Sequence, residues 1–289
     1  MRMVFIGNDF TIFSSIAVRK ELQFSCIVSN NDEVIQLAKQ LCFAILDLDS
    51  LKILISNKPE NHERPDIGIC ASFQILDQIF LDYPLNGFFN IHPAELPRFA
   101  GRYPFPSLVE SKVDHSQATI HRMVGKADSG PIFATNNYEI TPFDYYEDWH
   151  KSSAQAGAQL LANFLDLALW CSPDSSGLKI EISREAVNPR SRFPSRNLES
   201  NPNLALYDAI RINSRVGGTS LYKESGETIK IFYAIWIASS PSVEITYLVQ
   251  NFNGDGFTLT CNGLIIMEIT SWEGTIKVGD KLHRQKNDL

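Results

Sequence analysis

Gly87-Phe88-Phe89-Asn90-Ile91-His92-Pro93-Ala94-Glu95-Leu96-Pro97-Arg98-Phe99-Ala100-Gly101-Arg102-Tyr103-Pro104 is the stretch around which the 289-residue chain is organised. Phe88 to Ile91 is a short apolar run of the kind that forms a buried strand. It runs into a segment holding Pro93, Pro97, Gly101 and Pro104, which can continue neither a strand nor a helix. Asn90 and His92 are two positions apart, so on an extended backbone both side chains leave the same face. An amide and an imidazole then project together from a strand end, where α/β folds commonly place their chemistry. Taken alone, the pair reads equally well as a satisfied core Asn and His.

A second stretch separates the two readings. Thr119-Ile120-His121-Arg122-Met123-Val124-Gly125-Lys126-Ala127-Asp128-Ser129-Gly130-Pro131-Ile132 also reads as a strand entering a tight turn, with Asp128 in the turn and Gly130 free to adopt unusual backbone angles. Together the stretches resemble the formyltransferase family that uses 10-formyl-tetrahydrofolate, whose pattern is Asn-x-His-Pro-x-x-Leu-Pro, a Gly, and a downstream Asp-x-Gly. The matching positions are Asn90, His92, Pro93, Leu96, Pro97, Gly101, Asp128 and Gly130. The string from Ile120 to Gly130 is most similar to the members that formylate amino sugars carried on nucleotides. One departure is Ala100, which stands where many members have Arg before the Gly.

The resemblance implies a doubly wound, Rossmann-like catalytic domain followed by a small β-barrel of the OB type. Residues 1–185 are expected to form the catalytic domain, 186–200 a linker, and 201–289 the β-rich domain. The chain's own patterning agrees with this division. Apolar runs at Arg2–Gly7, Phe24–Val28, Asp66–Ala71 and Phe88–Ile91 alternate with helical patterns at Thr11–Lys20, from Asn30-Asn31-Asp32 to Leu41, and at Ile75–Leu81. That alternation predicts a parallel sheet. Phe43–Leu46 and Ile53–Ser56 are further short apolar runs. Phe105–Lys112 reads as a helix, Thr119–Val124 and Ile132–Ile140 as strands, and Asp144 to Cys171 as one long helix with His150 on its surface. After the turn cluster at residues 172–177 and the Pro- and Arg-rich segment from Asn188 to Arg196, the pattern changes. A helix at Leu204–Asn213 precedes five strand-like runs between Thr219 and Ile269, separated by Gly-containing turns. Gly7-Asn8-Asp9 is not a dinucleotide fingerprint, so no nicotinamide cofactor is expected.

Composition narrows the function further. The apolar fraction of 44% is ordinary for a globular protein, and no run reaches the roughly 18 apolar residues of a membrane helix. The start of the chain reads as a first strand rather than a signal peptide. Five scattered cysteines form no CxxC or Cys/His cluster, which supports neither a disulfide framework nor a metal site and fits a reducing, cytoplasmic setting. A formal charge of −7 disfavours broad nucleic-acid binding.

Formyl transfer to an amine is acyl transfer through a tetrahedral oxyanion. It needs a donor for that oxygen, a group that moves a proton, and a group that tunes the mover. An Asn amide, a His imidazole and a carboxylate meet those needs, and the family's triad assigns them to Asn90, His92 and Asp128; no metal is required. The resemblance places the folate against Gln74, Ile75 and Leu76 and against Val124, Gly125, Lys126 and Ala127, with Arg102 beside the folate or the acceptor. Arg190, Arg192 and Arg196 suit a diphosphate equally as well as a solvated linker. The acceptor implied is the amine of a dTDP-, UDP- or GDP-linked amino sugar used for surface polysaccharide or lipopolysaccharide. Methionyl-tRNA formyltransferase and formyl-tetrahydrofolate hydrolase are the alternatives. From Arg196 onward nine Lys/Arg stand against ten Asp/Glu, no electrostatic footprint for tRNA. Neither nucleic-acid nor membrane partners are therefore expected, and a homodimer is left open.

Overall fold

A computed structural model describes residues 1–57, 59–71, 75–171, 202–215, 217–237, 246–252, 254–261 and 264–284. They form two compact units. The first holds residues 1–104, 113–141 and 150–171; the second holds 105–112, 142–149 and the described residues from 202 onward.

The first unit is built on a six-stranded sheet in the order β2-β1-β3-β4-β5-β6. The strands are β1 (Arg2–Gly7), β2 (Gln23–Val28), β3 (Ile67–Ala71), β4 (Phe88–His92), β5 (His115–Arg122) and β6 (Ile132–Glu139). The first four are parallel, whereas β5 and β6 pair antiparallel. The sheet is therefore mixed rather than uniformly parallel. The link from β5 to β6 is a nine-residue turn at 123–131, too short for a crossover helix, which makes that pair antiparallel. Helices cover both faces. On one, α1 (Phe10–Ala17) and α6 (Tyr146–Asp166) pack on the sheet: an added Cβ at Gly157 of α6 would meet Ile91 at 2.9 Å and Ile12 at 3.4 Å, and Phe164 packs on Phe89. On the other, Leu51 of α3 (Leu48–Ser56) and Phe80 and Leu81 of α4 (Gln78–Leu81) join a cluster with Val4, Ile6, Val28, Cys70 and Phe88. The Phe88 ring lies so close to β3 that a Cβ at position 68 would stand 2.4 Å from it, which accounts for Gly68 inside a buried strand.

The helix starts follow capping chemistry. Asp9 Oδ1 accepts from Ile12 N–H at 2.9 Å, and Asn31 Oδ1 caps α2 (Asp32–Gln40) by accepting from Glu33 and Val34 N–H. The apolar run Ile53–Ser56 is the end of α3, whose cap Asp47 accepts from Ser50 N–H at 2.7 Å. Phe43–Leu46 contributes a single bridge, Ile45 to Ile27. The long helix α6 stops at Asp166, where Ala168 turns to φ 47° ahead of a short 3-10 turn at Leu169–Cys171. No described helix is long and apolar enough to cross a membrane.

The second unit is a closed barrel in the order β10-β11-β8-β7-β12-β9. Its strands are β7 (Thr219–Lys223), β8 (Thr228–Trp236), β9 (Thr246–Gln250), β10 (Phe257–Cys261), β11 (Leu264–Glu273) and β12 (Lys281–His283). Six described strands close it, one more than the five expected; the extra one, β12, is three residues long and joins β7 to β9. Inward residues such as Ile231, Tyr247, Val249, Leu259 and Met267 form its core with Leu206, Tyr207 and Ile210 of α7 (Pro202–Asn213). Two earlier segments belong to the same unit: α5 (Pro104–Ser111) from Phe105 on, and residues 142–149. The Tyr145 hydroxyl donates to the Ala234 carbonyl at 2.7 Å and accepts from its N–H at 2.9 Å, filling a gap in the β8 ladder. The expected 186–200 linker lies outside the described residues, as do Gln74, Arg190, Arg192 and Arg196.

Candidate active site

Asn90 and His92 leave the last residues of β4 and are 8% and 4% exposed. Antiparallel pairing sets Asn90 opposite His121 and His92 opposite Thr119. The proline-rich loop after His92 is pinned to the sheet at three points. The Tyr138 hydroxyl donates to the Pro93 carbonyl at 2.6 Å, Thr119 Oγ1 to the Ala94 carbonyl at 2.9 Å, and Glu95 N–H to Ser116 Oγ at 3.1 Å. The loop thereby returns the Phe99 carbonyl to His92, 2.9 Å from Nε2. A carbonyl only accepts, so Nε2 carries the hydrogen and Nδ1 is the basic nitrogen of the neutral ring.

Asp128 arrives from the turn between β5 and β6. Arg122 N–H donates to the Pro131 carbonyl at 3.0 Å and Ser129 Oγ to the Lys126 carbonyl at 2.7 Å, closing the turn. Gly130 is dictated by close approach: a Cβ there would stand 1.8 Å from the Arg122 carbonyl oxygen. Asp128 itself adopts φ 53°, a left-handed conformation that Asp and Asn tolerate better than most residues. Its Oδ2 accepts from Gly101 N–H at 2.8 Å, so the glycine of the first motif anchors the carboxylate of the second. Its Oδ1 lies 3.7 Å from His92 Nδ1 and 3.5 Å from His121 Nε2.

The electrostatics follow from these distances. Burial lowers the pKa of His92 by penalising the imidazolium; the Asp128 charge and the bond to Phe99 oppose the shift without cancelling it. His92 is thus a neutral base facing a carboxylate. Burial would by itself raise the Asp128 carboxyl, but the hydrogen bond with His121, the attraction of His92 and His121 in their protonated forms and the Gly101 N–H outweigh it. They hold the group far below the usual carboxylate range. The site pairs an uncharged proton acceptor with a fixed negative charge that stabilises it once protonated.

His121 was not singled out by sequence reasoning. It is 2% exposed, its Nδ1 lies 3.1 Å from the Arg122 carbonyl, and its Nε2 lies 3.1 Å from Asn90 Nδ2. The Arg122 carbonyl fixes a hydrogen on Nδ1, so Nε2, set between Asn90 Nδ2 and Asp128 Oδ1, accepts an N–H from Asn90 when bare and donates to Asp128 when protonated. Asn90 keeps a second N–H for a ligand oxygen, while its Oδ1 is buried with no hydrogen-bond partner among the described residues. The signal for His121 was its place two positions after Thr119 on the same strand face, but only the β4–β5 register makes it Asn90's partner.

The expected folate residues divide. Ile75 is 81% exposed, while the Leu76 side chain is buried with Phe80 and Phe88, leaving its backbone for a ligand. Val124, Gly125, Lys126 and Ala127 form an exposed turn that approaches α4, since a Cβ at Gly125 would stand 3.9 Å from Gln78 Oε1. The two segments expected to face the pterin thus converge. Arg102 is exposed, its guanidinium 5.3 Å from the centre of the Tyr103 ring. His150 lies on α6 as expected of a surface residue, with Nε2 3.6 Å from Asp9 Oδ2.

Residues 56–165, which carry the Asn90, His92 and Asp128 cluster, match the family model described as formyl transferase. The match covers 110 of the 289 residues, the part of the chain that holds this cluster. The match indicates a folate-dependent enzyme of formyl transfer, and the donor used by that family is 10-formyl-tetrahydrofolate. Among curated relatives, a methionyl-tRNA formyltransferase from Pseudothermotoga lettingae is 26% identical over 216 residues, 72% of this chain and 68% of the relative. Another, from Thermotoga maritima, is 33% identical over 104 residues, covering 36% of this chain and 33% of its own length. The chain thus spans only about a third of that relative in the alignment. Among solved structures, the N-formyltransferase from Helicobacter canadensis, in complex with folinic acid and dTDP-3-aminofucose, superimposes with a TM-score of 0.65. The match covers 93% of this chain and 98% of that one at 13% identity, a likeness of fold.

Proposed function

We propose that this protein moves the formyl group of 10-formyl-tetrahydrofolate to the amine of a nucleotide-linked amino sugar. The neutral amine attacks the formyl carbon, and the formyl oxygen becomes an oxyanion held by an Asn90 N–H. His92 Nδ1 takes the proton released from the attacking nitrogen, and Asp128 stabilises the resulting imidazolium. The bond to the folate nitrogen then breaks, and that nitrogen receives the proton from His92. Charge returns to its starting distribution, and the products are the formamide and tetrahydrofolate. Backbone groups of 75–76 and of 124–127 are the donors and acceptors proposed for the pterin edge, with Arg102 at the rim.

The acceptor assignment rests on one observation in the barrel unit. Among its described residues, several basic side chains are paired with carboxylates. Arg211 pairs with Asp208 at 2.8 Å, Arg215 with Glu147 at 3.0 Å, Lys223 with Glu227 and Asp280 at 3.0 and 2.9 Å, and Lys281 with Glu224 at 3.5 Å. A tRNA-binding face draws its affinity from cations available to phosphates. The fold likeness to the Helicobacter canadensis enzyme supports the sugar reading over nearly the whole chain. The names of the sequence relatives support formylation of methionyl-tRNA as a second reading. A formylated sugar nucleotide of this kind would feed surface polysaccharide or lipopolysaccharide assembly from the cytoplasm.

The test is a panel of dTDP-, UDP- and GDP-linked amino sugars and charged initiator tRNA, each incubated with enzyme and 10-formyl-tetrahydrofolate. Mass gain of one formyl group on a sugar nucleotide is expected. Formylation of the methionyl-tRNA alone would transfer the assignment to the second reading.

A further inference from the structure

A half-open cavity of about 330 Å³ lies at the carboxyl ends of β1 and β2, at the size where small-ligand pockets begin. The chain leaves β1 for β2 on one side and returns to β3 on the other, so the sheet's switch point lies between β1 and β3, one strand away from this cavity. Ile6 and Val28 line the cavity beneath Asn8, Ser29, Asn30 and Asp47.

The register ties this cavity to the catalytic cluster. Val28 pairs with Ile6, Ile6 with Cys70, Cys70 with Asn90, and Asn90 with His121. Paired residues of neighbouring strands share a face, so the cavity lining and Asn90 stand in one row on one side of the sheet. At about 4.8 Å per strand, Ile6 is roughly 10 Å and Val28 roughly 14 Å from Asn90 along that row.

The lining chemistry selects the ligand. Among the described residues no Lys or Arg borders the cavity, and the one charged side chain there is a carboxylate. A phosphate or the glutamate tail of a folate would be repelled there. Asn8 Oδ1 accepts from Ser29 Oγ at 3.1 Å and from Asn30 N–H at 2.8 Å, which turns its amide N–H groups to any ligand. The exposed Asp47 carboxylate accepts from Ser50 through both its N–H and its side chain, and its remaining lone pairs can accept from ligand hydroxyls. Amide donors, small hydroxyls and a carboxylate over an apolar floor suit a neutral heterocycle joined to a sugar diol, as strand-end carboxylates do in nucleotide folds.

We propose that this cavity takes the nucleoside end of the acceptor, with Asp47 on the ribose hydroxyls, while the diphosphate and amino sugar run along the row to Asn90. This rests on the nucleotide-sugar reading above and adds where the nucleoside sits. Calorimetric titration of UDP, GDP and dTDP, and separately of 5-formyl-tetrahydrofolate, into wild type, Asp47→Asn and Asn30→Trp tests it. Asparagine keeps the α3 cap, and Asn30 is an exposed rim position, so both variants should fold. The nucleotide that binds wild type should bind each variant about tenfold more weakly or worse, with folate affinity and melting temperature unchanged. Nucleotide binding within about twofold of wild type in both variants would overturn the cavity assignment and leave the acceptor reading standing. Wild type that binds the folate but none of the three diphosphates would overturn both.

Discussion

Replacing Asp128 by Asn isolates the charge at the centre of the site. Asn tolerates the left-handed φ of 53° and can still accept from Gly101 N–H, so the turn between β5 and β6 should keep its shape. What disappears is a negative charge 3.7 Å from His92 Nδ1. At that separation and an effective dielectric constant of about 20, the attraction to the protonated ring is about 4 kcal/mol. Water admitted when substrates are absent screens part of it, so a loss of about 2–4 kcal/mol in the proton-transfer step is expected, roughly 30- to 1000-fold in kcat. Because Asp128 raises the His92 pKa, its removal should move the His92 limb of the rate profile to lower pH. Steady-state formylation of the true acceptor from pH 5 to 9 measures both effects. A variant that melts like wild type, turns over within about threefold of it and shows an unmoved limb would refute the assignment of charge stabilisation to Asp128.

Three further outcomes follow. His121→Phe leaves the Asn90 amide and the Arg122 carbonyl without their buried partner, so kcat should fall about tenfold or more with a smaller change in KM. Stability should drop by about 1–3 kcal/mol, and His121→Gln should recover part of the activity. His92 has a folded pKa below its ordinary 6.5, so its contribution to stability is complete above that value and is lost as pH falls below it. Asp128 adds a similar loss below 3.8, and thermal melts of His92→Gln should lack the first of the two declines. Gly68→Ala drives a methyl into the Phe88 ring and should cost about 1–3 kcal/mol in denaturant unfolding, and Phe88→Leu in the same chain should return part of it.

Much of the convergence of Asn90, His92 and Asp128 was legible because its parts obey short-range rules. Phe88 to Ile91 is apolar without interruption, Pro93 ends the strand, and Asn90 and His92 share a face by simple alternation. Gly130 follows from a local approach to the Arg122 carbonyl, so it marks its turn in the sequence. His121 was hidden because its role is defined by a residue 31 positions away, through a strand register that no local pattern encodes. The helix at Leu48–Ser56 was missed for a different reason. Ile53 and Ile55 give its end the look of a strand, and the Asp47 cap that starts it falls between two apolar runs. Antiparallel β5 and β6 escaped because the preceding β-α alternation favours a parallel continuation, whereas a nine-residue turn forbids one. Three residues at β12 carry too little pattern to be read as a strand, yet they close the barrel.

The barrel unit is assembled from separated lengths of chain, and this limits how such an enzyme can be rebuilt by recombination. Residues 105–112 and 142–149 are encoded within the catalytic half, yet they group with the barrel, where Tyr145 completes the β8 ladder at Ala234 and the Asp144 carbonyl accepts from Arg211. A genetic crossover near residue 200 would import a foreign barrel without the tyrosine and carbonyl that its own ancestor supplied. Inheritance of the two halves is therefore coupled, and exchange among relatives should succeed only where those two inserted lengths travel with the strands they serve.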